Sequence, residues 1–144
     1  MRSKKLNNSS SQILLLTHGD WGKQLKESLS MILGKIEGVF DIALTANDTF
    51  NEFYEKVKQQ VVTMPKGSLI LTDFISGTTS NVAARLSLDY PIAVISGLNA
   101  LLLIEAINRK DEGPLMNIVD ELVGVGQESC KDVLAEIKQK FQEN

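Results

Sequence analysis

One cysteine (Cys130), one histidine (His18), one tryptophan and three prolines occur in 144 residues. A lone cysteine cannot close an internal disulfide, and a reducing compartment suits such a composition better than secretion does. His18 and Cys130 lie far apart and have no ligand-spaced companions, so no metal site and no bound cofactor are expected. Positive charge is not in surplus either. The 15 Lys and Arg face 18 Asp and Glu, for a net charge of −3, and no basic stripe recurs at helical spacing, which excludes nucleic acid as an expected partner. The apolar run Ile13-Leu14-Leu15-Leu16 is too short for a signal-peptide core or a membrane span, so no direct membrane insertion is expected. No Gly-x-Gly-x-x-Gly follows that run, which argues against a dinucleotide-binding domain.

What remains implies a cytoplasmic protein with a frayed amino-terminal tail over 1–12 and one compact domain over 13–144. A hydrophobic content of 43% in a chain of this length is enough to bury a core without metals or disulfides. No internal repeat or low-complexity linker supports a second domain.

The run at 13–16 reads as a strand buried on both faces, stopping at the polar turn Thr17-His18-Gly19-Asp20. From Trp21, the apolar residues Leu25, Leu29, Ile32 and Leu33 recur at three- and four-residue intervals up to Gly34, which predicts an amphipathic helix capped by Asp20. A second strand is predicted over 39–44. Asn47-Asp48 then offers caps for a helix carrying Phe50, Phe53, Tyr54, Val57 and Val61. Ser68-Leu69-Ile70-Leu71-Thr72 reads as a third strand, running into the polar loop 73–81 and a helix from about Ser80 to Leu86. A fourth strand at 92–95 closes at Ser96-Gly97-Leu98-Asn99 before a helix over 100–108. Two further helices are expected, around Met116–Val123 and Val133–Phe141, with room near Gly124 and Gly126 for a short strand.

Alternation of strand and helix requires parallel strands with helices on both faces of an open sheet. The predicted fold is therefore a single doubly wound α/β domain with a mainly parallel sheet. In such sheets ligands bind beyond the carboxyl ends of the strands, where helix amino termini present unpaired N–H groups. Three polar turns occupy that edge: the His18 turn, the loop 73–81 and the Ser-Gly-x-Asn turn with Ser96, Gly97 and Asn99. Together they suit the movement of a phosphoryl group. Histidine attacks phosphorus only through a neutral ring nitrogen, so the other nitrogen must keep its proton. A carboxylate that accepts from that proton fixes tautomer and orientation, and offsets the charge that develops. Asp73 is the best placed carboxylate, because the end of the third strand should lie close to the end of the first. Gly19, Ser76, Gly77, Thr78, Thr79 and Ser80 are the expected phosphate-binding residues, through hydroxyls and helix N–H groups. Each signal also has an ordinary reading: a structural or merely exposed histidine, a turn aspartate, a cluster of caps.

Three segments in combination, Leu-Thr-His-Gly at 16–19, Leu-Thr-Asp-Phe-Ile-Ser-Gly-Thr-Thr-Ser-Asn at 71–81 and Ile-Ser-Gly-Leu-Asn-Ala at 95–100, resemble the signature segments of the mannose-family enzyme IIA component of the bacterial sugar phosphotransferase system. The resemblance runs from about Ile13 to Val125. It implies that His18 accepts a phosphoryl group from the phosphocarrier HPr, that Asp73 orients it, and that Thr78 stands where the family commonly has a phosphate-contacting serine. It implies onward transfer to enzyme IIB, in concert with the membrane subunits IIC and IID, and a homodimer. The family's loop usually reads Gly-Gly-Ser-Pro, and this chain has Ser76-Gly77-Thr78-Thr79. The helix at 100–108, apolar on all sides at Leu101-Leu102-Leu103-Ile104, suits either a dimer partner or burial under the carboxy-terminal helices.

Three other readings share these residues. A receiver domain would phosphorylate Asp73 but needs paired acidic residues where this chain has Thr17-His18-Gly19. A phosphoryl-donor subunit of a dihydroxyacetone kinase uses a related domain, though Gly19 and the Ser-Gly-Leu-Asn turn fit the sugar-transport branch better. A regulatory phospho-sensor would use the same site without onward transfer.

Overall fold

The computed structural model describes residues 10–143. Four parallel strands, β1 (Ile13–His18), β2 (Val39–Leu44), β3 (Leu69–Thr72) and β4 (Ala93–Ser96), form one sheet in the order β2-β1-β3-β4. The connecting helices are α1 (Trp21–Leu33), α2 (Phe50–Val61), α3 (Thr78–Asp89) and α4 (Ala100–Arg109). A 3-10 turn (Leu115–Ile118), α5 (Val119–Glu128) and α6 (Val133–Glu143) follow. This is the doubly wound α/β architecture expected from the alternation.

The continuous apolar run of β1 is explained by burial on both sides. Ile13 and Leu15 pack with Leu69, Leu71, Leu29, Leu102 and Leu103 in one core, and Leu14 and Leu16 with Ile70, Phe53, Val57, Val82 and Leu86 in the other. Side chains of a strand alternate between faces, so one four-residue run anchors both layers. Each fully buried Leu, Ile or Phe here contributes about 1.5–3 kcal/mol relative to exposure. α1 and α4 thus cover one face, and α2 and α3 the other.

Helix starts differ in detail from the sequence expectations. Asp20 occupies the residue before α1, but its side chain makes no capping bond; the Thr17 hydroxyl accepts from the Gly22 N–H instead, at 3.1 Å. For α2 the cap is Thr49, not Asn47 or Asp48. Thr49 Oγ1 accepts from the Glu52 N–H and the Glu52 carboxylate accepts from the Thr49 N–H, a reciprocal box. α3 begins at Thr78, two residues before the expected start. Gly124 and Gly126 lie inside α5, so the room left for a strand there is filled by helix. Residues 1–9 of the expected tail lie outside the described residues. At the end of that expected tail, Ser11 is buried and bonds to Lys110, Gly113 and Leu115, and the Gln12 N–H donates to Ser68 Oγ.

Candidate active site

The chain leaves β1 for one face of the sheet and leaves β3 for the other, so the crevice between these neighbouring strands opens at their carboxyl ends. Leu16 pairs with Thr72 across the ladder, and the Asp73 N–H donates to the Leu16 carbonyl at 3.2 Å. Sheet register alone therefore sets Asp73 beside His18.

The Asp73 side chain is fully buried, whereas the imidazole is 44% exposed. Asp73 Oδ2 accepts from the His18 backbone N–H at 2.8 Å and lies 2.7 Å from His18 Nδ1. Oδ1 accepts from the Thr79 hydroxyl at 2.7 Å and from the Phe74 N–H at 3.1 Å. Burial by itself raises the proton affinity of this carboxyl. The hydrogen bonds from the His18 N–H, the Thr79 hydroxyl and the His18 ring outweigh it and hold Asp73 below its ordinary range. An ionised carboxylate only accepts, so Nδ1 is the donor in this contact, and in the neutral ring the lone pair then falls to Nε2.

The acceptor nitrogen faces the start of α3. A Cβ built on Gly77 would stand 3.9 Å from Nε2 and 3.7 Å from Cε1, and Gly77 has φ +105°, a conformation that glycine alone adopts readily. The first intrahelical bond of α3 is donated by the Asn81 N–H to the Gly77 carbonyl. The N–H groups of Thr78, Thr79 and Ser80 precede it, and no side chain caps them. Phe74 stacks on the imidazole, with centroids 5.0 Å apart and planes inclined by 15°. Its part in the site carried no signal in the sequence, where it is one hydrophobe in a polar loop.

The expected phosphate-binding residues divide once their bonds are followed. Gly77 and the half-buried Thr78 border the acceptor nitrogen or open the adjoining helix, and Ser76 is exposed on the same loop. The hydroxyls of Thr79 and Ser80 turn inward and do not face that space. Thr79 Oγ1 donates to Asp73, and Ser80 Oγ donates to the Phe74 carbonyl while sharing a bond with Thr72 Oγ1. Gly19 makes the turn after β1 at φ +68° and spends its N–H on the Leu44 carbonyl at 2.9 Å. Its turn is held by Thr17 Oγ1, which donates to the Gly19 carbonyl. Ser96, Gly97 and Asn99 lie one strand further out, beyond β3. They line a groove of about 490 Å³ with Ile75, Val94 and Val123. Asn99 caps α4 through the Leu102 N–H and accepts from Ser129. Among the described residues no three His, Cys, Asp or Glu converge to hold a metal ion, and no helix is long and apolar enough to cross a membrane.

Comparison with known proteins converges on one family. Residues 12–123 match the model described as PTS system fructose IIA component. The chain is 30% identical over 131 residues to the PTS system mannose-specific EIIAB component of Escherichia coli K12, covering 89% of this chain and 40% of that protein. It thus spans less than half of that relative's length. Against the PTS system fructose-specific EIIA component of Bacillus subtilis 168 the identity is 26%, covering 88% of this chain and 90% of the relative. Among solved structures, the phosphotransferase system component EIIA of Streptococcus agalactiae superimposes with a TM-score of 0.80 at 29% identity, covering 86% of this chain and 98% of that one. A PTS IIA protein associated with the fucose utilization operon of Streptococcus pneumoniae gives a TM-score of 0.78 at 26% identity, covering 88% and 95%. With its fold, its paired strand ends and these matches taken together, the chain belongs to the mannose-type EIIA family of the sugar phosphotransferase system.

Proposed function

We propose that this chain is a cytoplasmic phosphocarrier that accepts a phosphoryl group from phospho-HPr on His18 Nε2 and passes it to an enzyme IIB, for sugar uptake through the membrane subunits IIC and IID. The observation that carries the reading is the division of labour around one ring: Asp73 at 2.7 Å from Nδ1 and the uncapped start of α3 beside Nε2.

The chemistry follows from that arrangement. The Nε2 lone pair forms the new N–P bond as the bond from phosphorus to the donor's nitrogen breaks, and the electron pair leaves with the donor. The proton on Nδ1 stays between the ring and Asp73, so the phosphorylated ring carries a formal positive charge that the carboxylate compensates. The N–H groups at the start of α3 and the Thr78 hydroxyl stabilise the oxygens of the phosphoryl group in flight. Protonation at Nδ1 also makes the imidazole a good leaving group in the second transfer. Asp73 and His18 are thus the catalytic pair, with Gly77 and Thr78 at the phosphate. Nothing in this scheme draws on a cofactor.

The reading includes a homodimer. Leu101 on α4 is 51% exposed, and the outer edge of β4 borders the groove of about 490 Å³; a second copy would cover both. The name EIIAB of the Escherichia coli relative is consistent with an enzyme IIB as the next carrier.

The test is direct. The wild-type chain is expected to take up label from phospho-HPr as an acid-labile, alkali-stable adduct, and His18→Ala to take up none. Label persisting in His18→Ala, or an adduct stable in acid, would remove the mechanism.

A further inference from the structure

The Thr79 hydroxyl has no access to the phosphate position, yet it is among the shortest polar contacts in the site. Thr79 is fully buried, and its Oγ1 lies 2.7 Å from Asp73 Oδ1. The other carboxylate oxygen receives both His18 bonds, from the backbone N–H at 2.8 Å and at Nδ1, 2.7 Å away. The two oxygens of a carboxylate are chemically equivalent, and rotation about the terminal torsion is soft. Holding Oδ2 in line with Nδ1–H therefore requires something to hold Oδ1. Two donors do so: the Phe74 N–H at 3.1 Å and the Thr79 hydroxyl. Only the hydroxyl comes from α3, as the second residue of that helix after Gly77.

We infer that Thr79 is a positioning residue for phosphoryl acceptance, locking Asp73 and the start of α3 into one frame so that the proton on Nδ1 and the phosphate beside Nε2 are aligned together. The hydroxyl touches neither the imidazole nor the phosphoryl group and acts through Asp73 alone. Thr79 is β-branched, which restricts its side chain in a helix to two rotamers, and the bond to Asp73 selects between them in a site where both groups are buried. This inference rests on the reading of His18 as the phosphoryl acceptor.

Thr79→Val keeps the shape and removes the hydroxyl, and Thr79→Ser restores it. For Thr79→Val, the maximal rate of phosphorylation by phospho-HPr is expected to fall about tenfold, the usual scale for losing a group that orients a catalytic ligand. KM for phospho-HPr should stay within about twofold, since ground-state docking is untouched. Thr79→Ser should recover most of the rate. Nitrogen-15 NMR of the unphosphorylated chain gives a second readout: wild type and Thr79→Ser should show one His18 tautomer protonated at Nδ1, and Thr79→Val a mixture.

A folded Thr79→Val with wild-type rate and a single tautomer would overturn the inference. So would a loss confined to KM, which would mark Thr79 as part of the docking surface. If Thr79→Val fails to fold, the same comparison between Thr79→Ala and Thr79→Ser, which differ by one oxygen, decides the matter. The tautomer measurement needs no phosphoryl transfer. Failure of the wild-type chain to accept label would therefore sink the reading of His18 while leaving the role of Thr79 toward Asp73 decidable.

Discussion

Helices α2 and α3 are both 12 residues long, pack against each other on one face, and begin at the carboxyl edge of the same sheet. Their first turns are built in opposite ways. α2 closes on itself: the Thr49–Glu52 box uses the side-chain oxygens of both residues on N–H groups, and Asp48 just outside accepts from the Thr45 N–H and pairs with Lys56. α3 has a glycine before it, no capping bond and no acid in its first turn. Its two inward hydroxyls serve Asp73 and the Phe74 carbonyl, and no side chain caps the N–H groups of its first turn. A capping box is worth about 1 kcal/mol of stability, so α3 forgoes a stabilisation that α2 takes. The difference falls where the proposed phosphate site lies: the helix that closes its own amino terminus contributes to stability, and the one left open lies beside the histidine.

The largest effect should come from making α3 resemble α2. Thr78→Asp places a carboxylate in the first turn, where it interacts favourably with the helix dipole by about 0.3–1 kcal/mol. The same charge repels an incoming phosphoryl group, and the expected outcome is a loss of about tenfold or more in phosphorylation rate, equivalent to about 1.4 kcal/mol or more in the barrier. A more stable protein that phosphorylates as fast as wild type would break the comparison. The reverse substitution is Thr49→Ala, which opens the box on α2. It should cost about 1 kcal/mol of unfolding free energy, read as a shift in denaturant midpoint at constant m-value, with no change in the phosphorylation rate. A drop in rate would mean that the two helix starts are coupled.

How far such differences can be read without coordinates depends on what sets them. The pairing of His18 with Asp73 was legible because it follows from strand order, and a parallel sheet with β1 and β3 adjacent leaves their ends no other arrangement. The direction of the Thr79 and Ser80 hydroxyls was not, because it depends on where α3 begins. Each helical residue turns the side chain by about 100°, so a start at Thr78 in place of Ser80 carries every hydroxyl about 200° around the axis. The cap of α2 escaped for a related reason: Asn47, Asp48 and Thr49 are all good caps, and the choice fell to Glu52, three residues after Thr49. Around Gly124 and Gly126 local composition left room for a short strand. The close approach of α5 to α4, where a Cβ on Gly126 would come within 3.6 Å of Leu102, made it a helix.

The smallest expected effect separates the two helix starts in acid. Asp73 and Asp48 both have carboxyls held below the ordinary value of 3.8. Asp48 is lowered first by the Thr45 N–H and then by the Lys56 ammonium. Asp73 is lowered by the His18 N–H and the Thr79 hydroxyl against an opposing effect of burial. In the unfolded chain each carboxyl takes up its proton as the pH falls through 3.8, while the folded protein resists until lower pH. The unfolded state then binds more protons, so the stability each carboxylate contributes is fully present above 3.8 and is lost as the pH falls through the folded value. Asp73→Asn and Asp48→Asn should therefore both flatten the acid limb of a plot of unfolding free energy against pH. Salt distinguishes them. The Lys56 ammonium is half exposed, and at about 1 M salt the screening length shrinks to about 3 Å. The difference between wild type and Asp48→Asn should shrink there, while that between wild type and Asp73→Asn, which rests on a buried carboxylate and the uncharged His18 N–H and Thr79 hydroxyl, should stay. Equal screening of the two would mean that the Asp73 carboxylate is open to solvent ions, and that α3 starts no drier a site than α2 does.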